Sequence, residues 1–361
     1  MTKFYIDQHG CAKNQTDGEL IASYLMDAGY QLTSNPDEAD FIYINTCGFI
    51  ESAKKESITA IYDIKASYPK AKLILGGCLA QRYSKDLYDS MKELDGVFGN
   101  GDLTKISDFM KVLEYKRCLQ TYEQKGIAEG NRPVLFNYKG AAFVKITEGC
   151  SNHCSFCAIP LIRGELRSRK PESVVKEIQQ LVSNGVYEIN LIGQDLAAYG
   201  TGAEDFQLEN KNLSPLAQLF QMISKIEGDF IVRPLYIHPD HFNKDIIPVM
   251  QADKRFVPYF DIPFQSGDSQ IIKAMNRVGP AEKYIETIKF IRSSFERSIL
   301  RTTFLTGFPG ETDEAAENTK AFLQQIQPDW SGCFPYSREE DTPAKKQKKR
   351  VSEKVAVSRA N

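Results

Sequence analysis

The first hundred residues alternate short apolar runs with amphipathic helical patterns, and the same unit occurs three times. Each unit has an apolar run, a cysteine three to five residues beyond it, and then a helical segment. The runs and their cysteines are 3–6 with Cys11, 41–44 with Cys47, and 72–75 with Cys78. Strands that alternate with helices predict a parallel α/β sheet. The loops after parallel strands meet at one sheet edge, so we expect these three cysteines to converge.

The helices of this first domain, which we expect to span 1–100, have recognisable apolar faces. Thr16 and Glu19 have the spacing of a capping box, which predicts that the first helix opens there. A second helix is predicted over 51–67. Residues 101–139 are polar, have weak periodicity and contain a Gly-Asn-Arg-Pro break at 130–133, so we expect a connector.

A second series of strand and helix patterns begins near residue 140. Helical patterns such as 171–184 and 282–293 separate most of its strands. The candidate strands are 142–147, 187–192, 230–236, 257–262, 299–305 and 331–336. Six repeats predict a partial (β/α)6 barrel over 140–344, with functional side chains at the carboxyl ends of its strands. The basic segment 345–361 has no periodic pattern, and we expect a structureless tail that is either solvated or attractive to nucleic acid.

Composition narrows the class of protein. The 361 residues are 42% apolar and 25% charged, which excludes a disordered or fibrous chain and indicates two or three folded domains. No apolar run reaches the roughly 18 residues of a membrane span, and the first ten residues are too polar for a signal peptide, so we expect a cytoplasmic protein. The net charge of -2 excludes a general positive field. Eight cysteines without an export signal favour metal binding or catalysis over disulfides.

The densest cysteine cluster follows the first strand of the second series. Cys150, Cys154 and Cys157 have the spacing C-x3-C-x2-C. Three thiolates in a short loop suit an iron–sulfur cluster that leaves one iron open. The alternative is a zinc site in which His153 supplies a fourth ligand. A position at the mouth of a barrel favours the cluster, because an open iron there can hold and reduce a cofactor.

This loop, with Phe156 before its last cysteine, resembles the signature of the radical S-adenosylmethionine enzymes. The resemblance implies a 4Fe-4S cluster on the three loop cysteines, S-adenosyl-L-methionine on its open iron, and an electron donor that reduces it to produce a 5′-deoxyadenosyl radical. The three amino-terminal cysteines make the chain similar to the methylthiotransferases of that superfamily. There, the equivalents of Cys11, Cys47 and Cys78 hold a second 4Fe-4S cluster that takes part in sulfur insertion.

Several short runs resemble the branch of these transferases that acts on a β-carbon of an aspartate in small-subunit ribosomal protein number twelve. They are 10–14, 193–195, 261–263, 301–304 and 336–344. The run 265–267 instead resembles the branch that modifies adenosine in tRNA. Relatives continue into a TRAM domain that contacts the substrate, and we expect none here because no strand pattern follows Ala344. The basic tail would then offer contact to ribosomal RNA. A tRNA substrate and a non-catalytic iron–sulfur or zinc scaffold remain the alternatives.

The remaining candidate ligand contacts follow barrel strands. The resemblance implies that Gln194 and Asp195 contact S-adenosylmethionine, although Asp195 would also suit a helix N-cap. Gln265 and Ser266 resemble the family's segment that contacts the ribose of the cofactor. The alternative is that they form an ordinary polar turn. Gly307 either lets a ligand approach the backbone closely or serves a tight turn.

Five further residues are less specific. Arg163, Arg167 and Arg169 follow the cysteine loop, where guanidinium groups either orient a substrate carboxylate or lie on a solvated surface. Cys118 and Cys333 match no metal-binding spacing, and we expect them to be packing residues.

Overall fold

The computed structural model of this chain describes residues 1–136, 138–208 and 210–361. The chain folds as two compact units. Unit 1 comprises Met1–Lys139 together with Ile159–Glu165, and unit 2 comprises Gly140–Ala158 and Leu166–Asn361. Within the described ranges, no helix has the length and apolar character needed to cross a bilayer.

Unit 1 is built on a parallel sheet of six strands flanked by helices. Its elements are β1 (Lys3–Gln8), α1 (Ala12–Asp27), β2 (Gln31–Leu32), β3 (Phe41–Thr46), α2 (Glu51–Ser67), β4 (Lys72–Gly76), α3 (Gly77–Arg82), α4 (Ser84–Ser90), β5 (Gly96–Phe98), α5 (Ile106–Tyr115) and β6 (Cys118–Gln120). The strand order is β2-β1-β3-β4-β5-β6, and every neighbouring pair is parallel. The predicted parallel α/β sheet is therefore confirmed.

Both faces of this sheet are covered, which explains why its central strands are continuously apolar. Phe41 and Tyr43 of β3 pack with residues of α1 and α5. Ile42 and Ile44 of the same strand face the other way and pack with residues of α2, α3 and α4. All six residues of β3 are buried, so this strand forms the middle of the core of unit 1.

Two expectations for unit 1 are wrong. Helix α1 begins at Ala12 and not near Thr16, whose hydroxyl lies inside the helix and donates to the Ala12 carbonyl at 3.1 Å. Glu19 is not a capping residue either, because its carboxylate forms a buried ion pair with Arg132. The segment 101–139 is not simply a connector, since it supplies helix α5 and the edge strand β6. The buried apolar side chains of α5 explain that packing.

Unit 2 contains the predicted second series. Its elements in chain order, including the short α6 that belongs to unit 1, are β7 (Ala141–Lys145), β8 (Thr147–Glu148), α6 (Ile159–Arg163), β9 (Arg167–Ser168), α7 (Pro171–Ser183), β10 (Glu188–Ile192), α8 (Pro215–Ile223), β11 (Ile231–Pro234), α9 (Ile246–Ala252), β12 (Tyr259–Asp261), α10 (Ser269–Ala274), α11 (Ala281–Ser294), β13 (Ile299–Thr306), α12 (Asp313–Ile326), β14 (Trp330–Pro335) and α13 (Glu353–Ala360).

Six of these strands form an open parallel array. Strands β7, β10 and β11 pair in that order, and β12, β13 and β14 form a second parallel group. A parallel bridge between Val232 and Phe256 continues the array from β11 toward β12. All six predicted strands are present, and the partial barrel is confirmed.

The carboxyl-terminal segment differs from the structureless tail that the sequence predicts. Its last turns form α13, in which the Ala356 carbonyl accepts a hydrogen bond from the Thr306 hydroxyl at 2.8 Å. Arg359 forms an ion pair with Glu311 at 2.6 Å. Gly307 has φ 75°, and a Cβ there would lie 2.3 Å from the Ala356 Cβ. The close approach at Gly307 therefore accommodates this helix. Short ion-paired helices of this kind have too few apolar positions for periodicity to indicate them.

Candidate functional site

The three amino-terminal cysteines lie at the carboxyl ends of three neighbouring strands of unit 1. Cys11 follows β1 and precedes α1, Cys47 follows β3 directly, and Cys78 is the second residue of α3, which begins where β4 ends. Cys11 is exposed, Cys47 is half-buried and Cys78 is buried. The structure thus brings the three cysteines together at one sheet edge, where their thiols interact electrostatically. We call this group the unit 1 cysteine site.

A glycine stands beside each of these cysteines, and the packing requires it. Gly77 has φ 83°, and a Cβ there would lie 2.5 Å from the carbonyl oxygen of Thr46. Gly10 has φ 88°, a conformation that other residues rarely adopt. A Cβ on Gly48 would lie 2.8 Å from the Leu79 backbone. These glycines let adjacent strand ends approach closely enough to gather the sulfurs.

Buried polar groups surround the sulfur of Cys78. Asn14 donates to the Thr46 carbonyl at 2.7 Å, and its Oδ1 lies 3.1 Å from the Cys78 sulfur. The guanidinium of Arg163 donates to Asn14 Oδ1 at 2.6 Å and to the Cys78 sulfur at 3.2 Å. The same guanidinium forms an ion pair with Asp17 at 2.9 Å, and both side chains are almost fully buried. A fixed cation therefore lies against the buried sulfur.

The thiols of this site have shifted pKa values. Desolvation would raise the pKa of Cys11, but Lys13, Arg163 and nearby backbone N–H groups outweigh it, and the pKa is lowered. Burial raises the pKa of Cys47 and raises that of Cys78 to about 12, with Arg163 opposing both shifts. Metal ligation requires thiolates, which a neighbouring cation stabilises. Three converging sulfurs beside a guanidinium therefore fit an iron–sulfur cluster bound through three of its irons.

The cysteine loop of unit 2 contains Cys150, Cys154 and Cys157 after β8. The Cys157 N–H donates to the Cys154 carbonyl at 3.0 Å, which closes a tight turn. Its middle is anchored by Ser155, whose N–H donates to the Met275 carbonyl at 2.9 Å and whose carbonyl accepts from Ala344 at 2.8 Å. The loop is therefore held in place by residues distant in sequence.

Phe156 helps to anchor the same loop. Its ring packs against a buried apolar cluster that includes Met275, Phe308 and Ala344, and the Arg277 guanidinium lies 5.9 Å from the ring centroid. The aromatic residue before the last cysteine thus has a packing role here, and a direct contact with a cofactor stays a prediction.

A histidine other than the one named in the zinc alternative lies beside a loop sulfur. His153 is exposed, and its carbonyl accepts a hydrogen bond from Asn276 at 2.9 Å. His238 instead places Nε2 3.7 Å from the sulfur of Cys154, while its Nδ1 accepts from the Asp240 N–H. Burial lowers the pKa of His238 to about 3, with Arg277 adding to the effect. Because Nδ1 is an acceptor, we assign the proton of this neutral ring to Nε2, facing the sulfur.

Asp195 joins the cysteine loop to the end of β11. Its buried carboxylate accepts from the backbone N–H groups of Ala197 at 3.0 Å and His238 at 3.1 Å. It also accepts from Asn152 Nδ2 at 3.0 Å and lies 2.6 Å from His241 Nδ1. Both oxygens are occupied by donors of the chain itself, as in the interpretation in which Asp195 satisfies backbone N–H groups. Asp195 therefore holds Asn152 and His241 in place relative to this backbone, and a direct contact with a cofactor stays a prediction.

Several buried polar atoms near the strand ends have no hydrogen-bond partner among the described residues. They are Thr147 Oγ1, Gln194 Oε1, Gln265 Oε1 and Arg277 Nε. Leaving such an atom unsatisfied costs about 1–3 kcal/mol, so a ligand with matching groups would be stabilised there. Gln194 and Gln265 are two of the predicted cofactor contacts, and their free acceptors fit a ligand that carries amino and hydroxyl donors. We use the name unit 2 cysteine site for the loop that carries Cys150, Cys154 and Cys157 together with these polar side chains.

The other predicted contacts have partners within the chain. The Ser266 hydroxyl lies 3.2 Å from that of Thr319 and accepts from the Asp268 N–H at 3.1 Å, as in an ordinary polar turn. Gly307 lies against α13, and its N–H donates to Glu311 at 2.9 Å. A ligand contact at either position stays a prediction.

The arginines that follow the cysteine loop are not a solvated patch. Arg163 is buried in unit 1 as described above. Arg169 is buried in unit 2, where it forms an ion pair with Glu177 and donates to the Lys145 carbonyl at 3.1 Å. Arg167 is half-buried on β9. Of the two isolated cysteines, Cys118 packs in the core of unit 1 and Cys333 is half-buried on β14.

Sequence reasoning missed the residues that organise the two sites. His238 and His241 are two of only four histidines and follow the third barrel strand in the run His-Pro-Asp-His, a signal that could have found them. Asn14 and Asn152 each lie within three residues of a candidate cysteine. Nothing in the local sequence separates the role of Arg163 from that of Arg169.

Two protein-family profiles match the chain. Residues 3–99 match the Uncharacterized protein family UPF0004, and residues 144–323 match the Radical SAM superfamily. The first range contains the unit 1 cysteine site, and the second contains the cysteine loop of unit 2.

Curated relatives match nearly the whole chain. The protein named "Ribosomal protein uS12 methylthiotransferase RimO" from Treponema denticola is 52% identical over 98% of this chain and 80% of its own length. Proteins of the same name from Clostridioides difficile and a Thermoanaerobacter species are 37% and 39% identical over 99% and 97% of this chain, and over 80% and 79% of their own lengths.

Solved structures show the same fold at low sequence identity. The radical S-adenosylmethionine methyltransferase TsrM from Kitasatospora setae has a TM-score of 0.68 and 11% identity, covering 95% of this chain and 74% of that one. The cobalamin-dependent S-adenosylmethionine radical enzyme OxsB has a TM-score of 0.60 and 13% identity, covering 96% of this chain and 54% of that one.

Proposed function

The chain belongs to the ribosomal protein uS12 methylthiotransferase (RimO) family, and from that premise we propose that it transfers a methylthio group to the β-carbon of an aspartate in protein uS12 of the small ribosomal subunit. One observation carries the proposal: a single chain that is 52% identical to such an enzyme holds two separate sets of three cysteines. A reaction that both activates a carbon and inserts sulfur needs two such sites. A ribosomal protein substrate places the reaction in the cytoplasm.

Each site would hold one 4Fe-4S cluster. Cys150, Cys154 and Cys157 would bind the first together with S-adenosyl-L-methionine, and the cysteines of unit 1 would bind the second. When bound, these groups supply hydrogen-atom abstraction, which an unactivated carbon requires because no side-chain base of ordinary pKa can deprotonate it.

The chain's own residues bind and orient these groups. Asp195 fixes Asn152 of the cysteine loop relative to the backbone of His238, so that the loop keeps one geometry. The Nε2 proton of His238 faces the Cys154 sulfur and stabilises its thiolate form. Gln194 and Gln265 offer buried acceptors for the donors of the cofactor. The arrangement excludes water from these polar contacts and strengthens them.

Two further partners belong to the proposal. An electron donor would reduce the cluster that Cys150, Cys154 and Cys157 would hold. Ribosomal RNA would be attracted by the basic run 345–350, and such binding should weaken as salt is added. Measuring the affinity for a ribosomal RNA fragment at several salt concentrations tests this part, and salt-independent binding would contradict it.

A second substrate has one observation in its favour, because the run 265–267 resembles the tRNA-modifying branch. The two are separated in one reaction that contains anaerobically reconstituted protein, uS12, tRNA, S-adenosylmethionine and a low-potential chemical reductant. We expect a uS12 peptide that is heavier by one methylthio substitution at an aspartate. Methylthio-adenosine with unmodified uS12 would refute the protein substrate. Protein that binds zinc and produces no 5′-deoxyadenosine would support a non-catalytic scaffold instead.

A further inference from the structure

A seven-residue segment, Ile159–Glu165, folds with unit 1 although both its chain neighbours belong to unit 2. It begins two residues after Cys157 and consists mainly of helix α6. Ile162 is fully buried, and its carbonyl accepts from Gln124 of unit 1 at 3.2 Å. The segment carries one cation, Arg163, which it places in the interior of unit 1.

The guanidinium of Arg163 is held so that it meets the sulfur of Cys78. Two residues of α1 hold it, Asp17 through an ion pair at 2.9 Å and Asn14 through a hydrogen bond at 2.6 Å. The same nitrogen lies 3.2 Å from the sulfur. Arg163 also interacts electrostatically with Cys11 and Cys47, so its charge acts on all three thiols.

Helix α1 contains a second buried ion pair, which serves as a comparison for the pair of Arg163 with Asp17. Arg132 binds Glu19, and both side chains are 2% exposed. The Glu19 carboxylate also accepts from the Phe136 N–H at 2.9 Å. Buried ion pairs contribute little net stability compared with apolar side chains of similar volume. The pair of Arg163 with Asp17 differs from that of Arg132 with Glu19 because its guanidinium also donates to a cysteine sulfur.

We propose that Arg163 is a positioning residue of the unit 1 cysteine site, where its guanidinium fixes the Cys78 sulfur and raises the reduction potential of the cluster bound there. This inference rests on the proposed function, because it requires a cluster on Cys11, Cys47 and Cys78. Hydrogen bonds to cluster sulfurs and nearby charge are among the factors that set cluster potentials. A fixed cation favours the reduced form, because reduction adds negative charge.

Replacing the two members of the ion pair should shift the reduction potential in opposite directions. Replacing Arg163 by Gln removes the cation and should lower the potential. Replacing Asp17 by Asn removes the opposing anion and should raise it. Arg163→Lys keeps the charge but loses the planar fork, and should lie between Arg163→Gln and the parent.

The test uses the full chain with Cys150, Cys154 and Cys157 all replaced by Ala, so that iron binds at unit 1 alone. The parent should bind about four irons, and its potential is measured by a redox titration followed by electron paramagnetic resonance. In Arg163→Gln we expect the reduction equilibrium to shift by at least roughly tenfold toward the oxidised form, about 59 mV for one electron. The matched control, Glu19→Gln with Arg132→Gln, should leave the potential unchanged.

The possible outcomes separate this inference from the function on which it rests. Unchanged potentials in both Arg163→Gln and Asp17→Asn, with full iron, would overturn the role of Arg163 and leave the two-site enzyme intact. A parent that binds no iron would contradict the proposed function itself. If Arg163→Gln does not fold, the double variant with Asp17→Asn removes both charges together, and the single Asp17→Asn variant still tests the sign.

Discussion

The two cysteine sites are built in opposite ways. In unit 1 the cysteines come from three strand ends and meet only because β1, β3 and β4 are neighbours in the sheet. In unit 2 the three cysteines share one short loop, so their spacing is fixed before any strand pairs. The first site depends on tertiary structure for its existence. The second depends on tertiary structure only for its orientation.

Their electrostatic surroundings differ in the same way. A buried guanidinium lies 3.2 Å from a sulfur of the unit 1 cysteine site. The unit 2 loop instead has a neutral imidazole, that of His238, facing Cys154 at 3.7 Å, and a carboxylate, Asp195, that holds the surrounding groups. A cationic side chain therefore contacts a sulfur of unit 1 directly. In unit 2 the sulfur of Cys154 faces a neutral side chain, and the nearby carboxylate holds the positions of neighbouring groups.

The largest effect should come from removing either set of cysteines. Wild-type protein reconstituted without oxygen should bind about eight irons, and each triple Ala variant about four. Replacing Cys150, Cys154 and Cys157 should abolish the formation of 5′-deoxyadenosine. Replacing the three cysteines of unit 1 should preserve that product and abolish the methylthio product. Iron analysis and mass spectrometry check both results.

A matched control is the pair of isolated cysteines. Replacing Cys118 and Cys333 by Ala should leave the iron content unchanged, because neither belongs to a cysteine site. A folded unit 1 triple variant that no longer forms 5′-deoxyadenosine would refute this division of labour.

The next largest effect is expected at Asp195. Asp195→Asn replaces one carboxylate oxygen by an NH2 group, which cannot accept from the two donors that this oxygen now binds. Leaving buried donors unsatisfied costs about 1–3 kcal/mol, and a misplaced loop can reduce turnover roughly 100-fold. We expect normal iron content with slow formation of 5′-deoxyadenosine. Equal rates in the variant and wild type would show that the loop keeps its geometry without this carboxylate.

Local sequence patterns predict the cysteine sets and the barrel strands, but not the contacts that organise the two sites. Both sets of cysteines and all six barrel strands follow from local patterns, since strand periodicity and cysteine spacing are short-range properties. The contacts of Asp195 with Asn152 and His238 join segments that are distant in sequence. The periodicity of apolar residues cannot predict such contacts. Arg163 is the clearest case. It stands six residues after Cys157 in sequence, yet its partners Asn14, Asp17 and Cys78 lie in unit 1.

A smaller effect is expected at Asn14, the corresponding organiser of unit 1. Asn14→Ala leaves the Thr46 carbonyl without this donor and frees one contact of Arg163. The free energy of unfolding should fall by about 1–3 kcal/mol. The iron of unit 1 should be lost faster to a chelator, while 5′-deoxyadenosine formation stays normal. Asn45→Ala is a useful control, because Asn45 donates to Gln8 and to the Asn14 carbonyl but not to a cysteine. Equal chelation rates in the two variants would mean that Asn14 only stabilises the sheet.

The smallest effect, and the one that separates the sites by pH, is expected at His241. The hydrogen bond to Asp195 raises the pKa of His241 above its ordinary value of 6.5, while burial opposes this shift and nearby Asp240 and Arg277 act in opposite directions. Stability from the raised pKa is fully present below about pH 6.5 and is lost as the pH rises through the higher folded value.

His241→Gln removes this titration, so the measurement is the difference in unfolding free energy between wild type and variant, from about pH 5.5 to about pH 9. The difference should be largest at the acid end and shrink as the pH rises. Subtraction cancels the part of the opposite contribution of His238 that does not depend on His241; burial, the main cause of its lowered pKa, is common to wild type and variant. The effect should be small because the His241 side chain is 39% exposed and solvent screens the pair. Unit 1 offers the contrast, since a guanidinium does not titrate in this range and the loss caused by Asn14→Ala should stay constant. A His241→Gln difference that grows toward alkaline pH would contradict the ion pair with Asp195.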